Sequence, residues 1–220
     1  MKSGLLIFDL DGTLFRSETV TVPAVQRAFR EHGLVEPSAP EICWFFGKPH
    51  RDFQEWLESI VPGSLASGIL AAVDRRELEL VSETGELYAG VAEMLTEARK
   101  QFTHLAICTN GEREYVARVL STSGLLPFFD RIRYRESPVD TKAAMVAELL
   151  STLDARPAFV IGDRSEDIDA AHANGILAIG ARYGYGTVGE LATADATIQT
   201  PLSLLEVLSF MMLPRKFPGP

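Results

Sequence analysis

The chain has 220 residues, 46% of them hydrophobic and 23% charged, an ordinary globular composition long enough for one large domain or for a core domain with a smaller insert. Lys and Arg total 21 against 30 for Asp and Glu, a formal net charge of -9, so we expect no nonspecific binding to nucleic acid or to an anionic membrane surface. The two cysteines, Cys43 and Cys108, are too few for a disulfide framework, and no apolar run is long enough for a signal peptide or a membrane span, so we expect a cytoplasmic protein.

The apolar runs along the chain predict an alternation of buried strands and helices. Short runs rich in Ile, Leu, Val and Phe indicate strands, and the segments between them have the period of amphipathic helices. The predicted strands are residues 4–8, 103–108, 158–162 and 176–180, with weaker candidates at 131–134 and 196–198. The predicted helices are residues 111–124, 141–153 and 165–174. Short connections between them favour a Rossmann-like α/β fold, a mostly parallel sheet with helices on both faces.

Residues 16–86 interrupt this alternation, because they have helical periodicity and no convincing strand. The helices expected there are residues 22–32, 49–60 and 65–81, with a loop at 45–50. We therefore expect two domains. Residues 1–15 and 87–220 would form an α/β core, and residues 16–86 a small α-helical cap inserted into it.

Polar side chains follow the carboxyl ends of three predicted strands. The set consists of Asp9, Thr109, Asn110, Asp163, Asp167 one helical turn further on, and Lys142 at the start of a predicted helix. Ligands of open parallel sheets bind at this edge. The sequence therefore predicts one site there, made of carboxylates, a hydroxyl, an amide and one ammonium group.

Four short motifs resemble those of the haloacid dehalogenase superfamily, in the same order. They are DLDGT at residues 9–13, CTN at 108–110, Lys142, and GDRSED at 162–167. The helical insert between the first and second motifs is similar to that of the subgroup that includes phosphoglycolate phosphatases. The resemblance implies a phosphoric monoester hydrolase that acts on small phosphorylated metabolites, either phosphoglycolate-like compounds or sugar phosphates.

The resemblance also implies roles for the two acids of the first motif. Asp9 would be the nucleophile that forms an aspartyl-phosphate, and Asp11 would protonate the leaving oxygen and then activate water. The close spacing would thus separate two roles, with one carboxylate held charged and its neighbour pushed toward the neutral form. Lys142, Thr109 and Asn110 are expected to bind the phosphoryl group.

Charge counting predicts a metal ion at this site. If Asp9, Asp163 and Asp167 are ionised and the phosphoryl group is doubly charged, the single ammonium of Lys142 cannot balance them. An oxygen-only set of ligands suits Mg²⁺, and we see no His or Cys cluster that would favour zinc. By resemblance, Asp9, Asp163 and the carbonyl of Asp11 would ligate Mg²⁺ directly, and Asp167 would act mainly through water.

Substrate specificity is expected to lie in the cap. Gly47 resembles the glycine of the family's cap loop, where the backbone approaches the substrate. Arg16, Lys48 and Arg51, with His50 beside them, are candidates to bind a second anionic group. For any one of these side chains alone, a solvated charge is the simpler interpretation. Arg16 also stands where many phosphoglycolate phosphatase relatives have aspartate, so phosphoglycolate itself is not assigned.

Other activities stay open at this point. A phosphomutase of the β-phosphoglucomutase type shares the core and returns the phosphoryl group to its substrate. A dehalogenase of the same superfamily needs neither an acid at Asp11 nor Mg²⁺, and a noncatalytic binding module should have lost a catalytic group. None of the expected groups is missing, so a Mg²⁺-dependent phosphatase is the favoured hypothesis. We expect a monomer or homodimer with no nucleic acid or membrane partner.

Overall fold

The computed structural model describes residues 2–213 and has a six-stranded sheet at its centre. The strands are β1 (Leu5–Phe8), β2 (His104–Thr109), β3 (Arg131–Tyr134), β4 (Ala158–Gly162), β5 (Leu177–Ala181) and β6 (Ala196–Ile198). Their order in the sheet is β3-β2-β1-β4-β5-β6, and each neighbouring pair is parallel. The predicted α/β fold is confirmed, including the two weaker strand candidates.

The helices of the described chain pack on the sheet or form the insert. They are α1 (Thr21–Glu31), α2 (Ala39–Cys43), α3 (His50–Ile60), α4 (Gly63–Glu83), α5 (Val91–Gln101), α6 (Arg113–Thr122), α7 (Lys142–Leu153), α8 (Ser165–Ala173) and α9 (Leu204–Met211). Single 3₁₀ turns lie at Ser17–Thr19, Leu126–Phe128 and Pro201–Ser203. The three helices expected in the insert are α1, α3 and α4. None of the helices in residues 2–213 is both long enough and apolar enough to cross a membrane.

The short helix α2 was not predicted from the sequence. Ser38 precedes it, and the backbone N–H of Ser38 donates to the carboxylate of Glu41 at 2.8 Å, which satisfies a donor at the start of the helix. This is a capping box, and its signature of Ser followed three residues later by Glu is visible in the sequence. The motif was the signal that could have predicted α2.

The central strand β1 shows why the sheet is covered on both faces. Its side chains alternate between two apolar clusters, with Leu6 and Phe8 in one and Leu5 and Ile7 in the other. All four side chains are fully buried. Successive side chains along a strand point to opposite faces of the sheet. A strand that is apolar at every position therefore has to be buried on both faces.

The sheet order places three strand ends side by side. β1 lies between β2 and β4, and the chain fills one half of the sheet with β2 and β3 before it crosses to β4, β5 and β6. The order of the strands therefore reverses at the boundary between β1 and β4, and open parallel sheets bind ligands at such a point. The residues that follow β1, β2 and β4 face this crevice.

The connections to the insert lie next to each other at the edge of the core. Phe15 forms an antiparallel bridge with Leu87, and the backbone N–H of Arg16 donates to the carbonyl of Glu86 at 2.9 Å. The chain leaves and re-enters the core at almost the same place, which agrees with an insert of residues 16–86. The division into a core and a cap domain stays a prediction, and residues 1 and 214–220, assigned to the core, lie outside the described chain.

Candidate active site

Three buried carboxylates meet at the strand ends predicted from the sequence. Asp9 follows β1, Asp163 follows β4, and Asp167 lies in the first turn of α8. One carboxylate oxygen from each lies within 4.8 Å of the others, and the three side chains are at most 1% exposed. The fold therefore brings together, away from bulk water, acids that are far apart in the sequence.

Lys142 is the cation that contacts this cluster. It is the first residue of α7, where the hydroxyl of Thr141 accepts a hydrogen bond from the backbone N–H of Ala144 at 3.1 Å and fixes the start of the helix. The Lys142 ammonium lies 2.6 Å from Asp167 Oδ1 and 3.1 Å from Asp9 Oδ2. Burial lowers the pKa of Lys142, but the charges of Asp167 and Asp9 outweigh burial and hold this pKa well above its usual value. One ammonium thus contacts two of the three carboxylates, Asp9 and Asp167.

Asp9 is the least satisfied member of the cluster. Neither of its carboxylate oxygens accepts a geometrically sound hydrogen bond from residues 2–213, although Lys142 lies near one of them. Burial raises the pKa of Asp9 well above its usual value, and the negative charges of Asp167 and Asp163 add to this effect, while Lys142 opposes it. A buried carboxylate without donors is stable in its charged form only beside a further cation. The site therefore fits a metal ion with oxygen ligands.

Within the described residues, the Asp163 carboxylate has hydrogen-bond donors that the Asp9 carboxylate lacks. Its Oδ2 accepts a hydrogen bond from the backbone N–H of Tyr185 at 2.7 Å, and its Oδ1 lies 3.4 Å from the hydroxyl of Thr13. Burial and the charge of Asp167 still raise the pKa of Asp163 to about 7. Gly12, at φ +77°, lies so close to this carboxylate that a Cβ there would overlap it. The glycine of the first motif is therefore needed both for its left-handed backbone and for the approach of Asp163.

Asp11 turns toward different partners. Its Oδ1 accepts hydrogen bonds from the Ser17 hydroxyl at 2.5 Å and from the Tyr115 hydroxyl at 2.7 Å. Burial raises the pKa of Asp11, and these two donors oppose the rise. The carboxyl group is thus held in one orientation, and burial shifts its pKa upward. Ser17 and Tyr115 were not predicted as site residues, and no sequence motif indicates either of them.

The residues after β2 connect the site with the insert. The Thr109 hydroxyl accepts a hydrogen bond from the backbone N–H of Gly111 at 3.1 Å. The Asn110 amide donates to the Gly47 carbonyl at 2.9 Å and to Glu166 at 2.8 Å. Asn110 therefore touches the expected cap loop as well as the sheet edge.

A cavity of about 270 Å³ lies between this edge and the insert. Of the expected substrate-binding residues, it is lined by Gly47, Lys48 and Asn110, together with His50 and Asp11. The Lys48 ammonium lies 3.7 Å from the centre of the Trp44 ring. The cavity is slightly smaller than the range of about 300–1,000 Å³ typical of small-molecule sites.

The two arginines expected to bind an anionic group are placed elsewhere. Arg16 forms ion pairs with Glu18 at 2.9 Å and with Glu86 at 2.6 Å. Arg51 pairs with Glu55 one helical turn away at 2.6 Å, and its side chain is 75% exposed. Neither arginine lines the cavity. Each has an acid close in space at the protein surface, so the simpler interpretation of a solvated charge describes both.

The cavity instead has an acidic lining that the sequence analysis did not predict. Asp74 and Glu77 project from α4, and Glu112 and Glu114 lie at the start of α6. Burial raises the pKa of Glu77 to about 8, and the charges of Asp11, Asp74 and Glu112 add to the rise although the Thr21 hydroxyl opposes it. The pair on α4 and the pair at the start of α6 are separated by more than thirty residues in sequence, so only the packing of α4 against α6 brings the two pairs together.

The comparisons with known proteins agree with this geometry. Residues 6–181 match the family model described as haloacid dehalogenase-like hydrolase. The chain is 28% identical over 210 residues to the tyrosine-protein kinase PtkA of Mycobacterium tuberculosis, covering 93% of this chain and 70% of that protein. It is also 28% identical over 222 residues to a plasmid-encoded phosphoglycolate phosphatase of Cupriavidus necator, covering 96% and 94%.

A solved structure supports the fold. A predicted phosphoglycolate phosphatase from Haemophilus somnus superimposes with a TM-score of 0.84 at 22% identity, and the match covers 93% of this chain and 97% of that one. The expected superfamily and the expected enzyme class, a hydrolase, are both confirmed. The family model spans the sheet edge, the acidic cluster and the insert, and the chain belongs to the haloacid dehalogenase-like hydrolases.

Proposed function

We propose that this protein is a Mg²⁺-dependent phosphatase of small phosphorylated metabolites. The observation that carries the proposal is the buried Asp9 carboxylate, which has no hydrogen-bond donor among residues 2–213 and lies 3.1 Å from the Lys142 ammonium. A nucleophile needs free lone pairs, and an anionic phosphoryl group needs cations beside it. Asp9 and Lys142 meet both needs.

In the first step, a carboxylate oxygen of Asp9 forms a bond to phosphorus as the bond to the leaving oxygen breaks. Asp11 gives its proton to that oxygen, and the product alcohol departs. Burial raises the pKa of Asp11, a shift toward the protonated form that this step needs. The hydrogen bonds from Ser17 and Tyr115 hold its carboxyl group in position.

In the second step, Asp11 takes a proton from water, whose oxygen attacks phosphorus. The bond from phosphorus to Asp9 breaks, so inorganic phosphate leaves and both acids return to their starting states. Asp11 thus gives one proton and regains one in each cycle, as a catalytic group that acts first as acid and then as base must.

The metal would be held by Asp9, Asp163 and the carbonyl of Asp11, with Asp167 nearby and paired to Lys142. Bound Mg²⁺ supplies positive charge that offsets the phosphoryl oxygens and the clustered carboxylates. The oxygen-only composition of the cluster is what supports Mg²⁺ over a softer metal.

The central test is release of inorganic phosphate from a panel of phosphorylated metabolites, with and without a chelator. We expect activity that needs Mg²⁺, and we expect Asp9→Asn to reduce it by more than about 10³-fold because the nucleophile is lost. The melting curve of Asp9→Asn should show that the fold is intact. Asp169→Asn, an exposed acid on α8, is the matched control and should retain activity. Full activity in Asp9→Asn would refute the proposed nucleophile.

The same panel separates the alternatives. A phosphomutase would convert a sugar phosphate to its isomer with little free phosphate, and a dehalogenase would release halide without Mg²⁺. Because the chain is similar to a tyrosine-protein kinase, a further assay should replace the metabolite by ATP and a tyrosine-containing protein. The small cavity favours a small phosphate ester over ATP as the substrate.

A further inference from the structure

The backbone around Tyr185, after β5, packs directly on the acidic cluster. The N–H of Tyr185 donates to Asp163 Oδ2 at 2.7 Å. A Cβ at Gly184 would overlap the Asp163 side chain and the Gly12 carbonyl, and a Cβ at Gly186 would overlap the Asp163 carbonyl. Only glycine allows so close an approach of two backbone segments. The Tyr185 backbone is therefore fixed to the segment that holds Asp163.

The Tyr185 side chain extends from this fixed backbone to the start of the insert. Its hydroxyl accepts a hydrogen bond from the backbone N–H of Glu18 at 3.1 Å and donates to Glu18 Oε2. Glu18 lies in the 3₁₀ turn Ser17–Thr19, the first turn of the insert. One hydroxyl thus makes two hydrogen bonds between the core and the insert.

Glu18 is also connected with the other end of the insert. Its Oε1 accepts a hydrogen bond from Arg16 Nε at 2.9 Å, and Arg16 Nη1 donates to Glu86 at 2.6 Å. The Arg16 side chain is 40% exposed, so these ion pairs contribute little by themselves. Because Arg16 and Glu86 lie where the chain leaves and re-enters the core, the contacts of Tyr185 extend to both connections of the insert.

The position of the insert determines the shape of the cavity. Asp11 and Asn110 line it from the core, and Gly47, Lys48 and Glu77 line it from the insert. A rotation of the insert about its two connections would move one wall of the cavity relative to the other. A contact that fixes the start of the insert therefore sets the distance between the insert wall and the reacting groups.

We propose that Tyr185 is a positioning residue for the reaction, because its hydroxyl fixes the start of the insert to the segment that holds Asp163. The inference rests on the proposed phosphatase function and adds a residue to it. Tyr185 is half-buried and is not among the residues that line the cavity. It acts through Glu18 rather than on the substrate.

Tyr185→Phe tests the hydroxyl alone. Phenylalanine keeps the ring that packs against Phe46 and the backbone N–H that bonds Asp163. With p-nitrophenyl phosphate and Mg²⁺, we expect kcat to fall about tenfold because the insert is held less firmly over the reacting groups. We expect KM to change by less than about threefold, because Lys142 and Thr109, which bind the phosphoryl group, belong to the core. An unchanged kcat, or a loss confined to KM, would overturn the inference and leave the phosphatase function standing.

Two controls separate this role from a general loss of structure. Tyr134→Phe removes the hydroxyl of a core tyrosine whose ring centre lies 4.7 Å from Arg113, and it should keep the wild-type kcat. Mg²⁺ should raise the Tm of Tyr185→Phe as much as that of the wild type, since the N–H that bonds Asp163 is retained. A smaller response to Mg²⁺ would place the defect at the metal site and contradict the proposed role.

The effect of the hydroxyl should depend on Glu18. Glu18→Ala removes the carboxylate that accepts from Tyr185 and leaves the backbone N–H that donates to it. In that background Tyr185→Phe should lower kcat by about threefold or less, because residues in contact are energetically coupled. Equal losses in the wild-type and Glu18→Ala backgrounds would show that the hydroxyl acts through another residue and would refute the inference.

Hydrogen exchange measures the position of the insert without turnover. Tyr185→Phe should speed up exchange in residues 44–48, the part of the insert that contacts Asn110, and leave exchange in β1 and β4 unchanged. If the wild type releases no phosphate from any ester, the proposed function fails, and this measurement alone decides whether Tyr185 holds the insert. Exchange in residues 44–48 that equals that of the wild type would then refute the inference as well.

Discussion

At the scale of single residues, hydrogen bonds distinguish two acids that are almost adjacent in sequence. Asp11 accepts two hydrogen bonds on one oxygen, whereas Asp9 accepts none with sound geometry from the described part of the chain. Asp11 is thereby fixed in orientation, and Asp9 is left with free lone pairs beside Lys142. Different environments are what allow neighbouring carboxyl groups to take different chemical roles.

The crowded carboxylates predict that Mg²⁺ stabilises the fold. A ligand at about 100 times its Kd contributes about 2.7 kcal/mol, and each kcal/mol raises Tm by about 2–4 °C in a chain of this size. We therefore expect millimolar Mg²⁺ to raise Tm by several degrees, and Asp163→Asn to abolish the increase because a direct ligand is lost. Differential scanning fluorimetry measures both.

The control for this experiment is a second aspartate variant. Asp169→Asn also removes one carboxylate from the region after β4, but its side chain is exposed and outside the cluster. Its response to Mg²⁺ should equal that of the wild type. A wild-type Tm that does not change with Mg²⁺ would contradict the metal assignment.

The sequence could predict some of these residues and not others. Asp9 and Asp163 were predictable because each directly follows an apolar strand, and the carboxyl ends of parallel strands share one edge. Ser17 and Tyr115 were not, because their hydrogen bonds to Asp11 depend on how the chain after β1 and helix α6 pack in three dimensions. No local pattern encodes such a contact.

At the scale of elements, the packing of α4 against α6 creates the acidic lining of the cavity. Glu77 is the member most affected, since burial first and neighbouring charges second raise its pKa from 4.5 to about 8. The folded protein therefore holds the proton of Glu77 more tightly than the unfolded chain does. Stability from this group is present at low pH and is lost as the pH rises through about 8.

Replacing Glu77 by Gln should remove this loss. Glu77→Gln should match the wild type in Tm near about pH 4.5 and exceed it by several degrees near about pH 9, because the glutamine cannot ionise. Thermal unfolding across this range measures the difference, and Glu58→Gln, an exposed acid, should follow the wild type throughout. A Glu77→Gln variant that is less stable than the wild type near about pH 9 would show that the charged form is favoured in the fold.

Most elements were predictable from sequence, and the exceptions have physical reasons. β1 and β4 are apolar at each position because both faces of the central sheet are covered. β3 was only weakly predicted as a strand. It lies at the edge of the sheet and is partly exposed, and Arg131 and Arg133 interrupt its apolar pattern. The short α2 was missed because five residues carry too little periodicity, and its capping box was the only clear sign.

At the scale of the whole molecule, the insert closes over the sheet edge through a few contacts. The Gly47 carbonyl accepts a hydrogen bond from Asn110, and the Phe46 ring packs against Tyr185 with centres 4.8 Å apart. Gly47 also lies against the side chain of Arg164. The insert therefore forms part of the wall of the cavity, and we propose that it opens and closes in each catalytic cycle.

This closure predicts a specific effect of an alanine at Gly47. Gly47 has φ +75°, and a Cβ there would lie 2.8 Å from Arg164 Cγ, so either the loop or the Arg164 side chain would have to move. Gly33 has φ +70° with no atom within 4 Å of its Cβ position, which makes Gly33→Ala a matched control for the backbone strain alone. That strain costs about 1–2 kcal/mol in either variant.

We therefore expect the two variants to lose similar stability but to differ in catalysis. A shift of reacting groups by about 1 Å can cost about 10²-fold in rate, so Gly47→Ala should lower kcat/KM by about 10- to 100-fold relative to Gly33→Ala. Thermal unfolding measures the first quantity and phosphate release the second. If both variants kept the same kcat/KM, contact between the Gly47 loop and Arg164 would have no part in closing the site, and the cap would have to be positioned by Phe46 and Tyr185 instead.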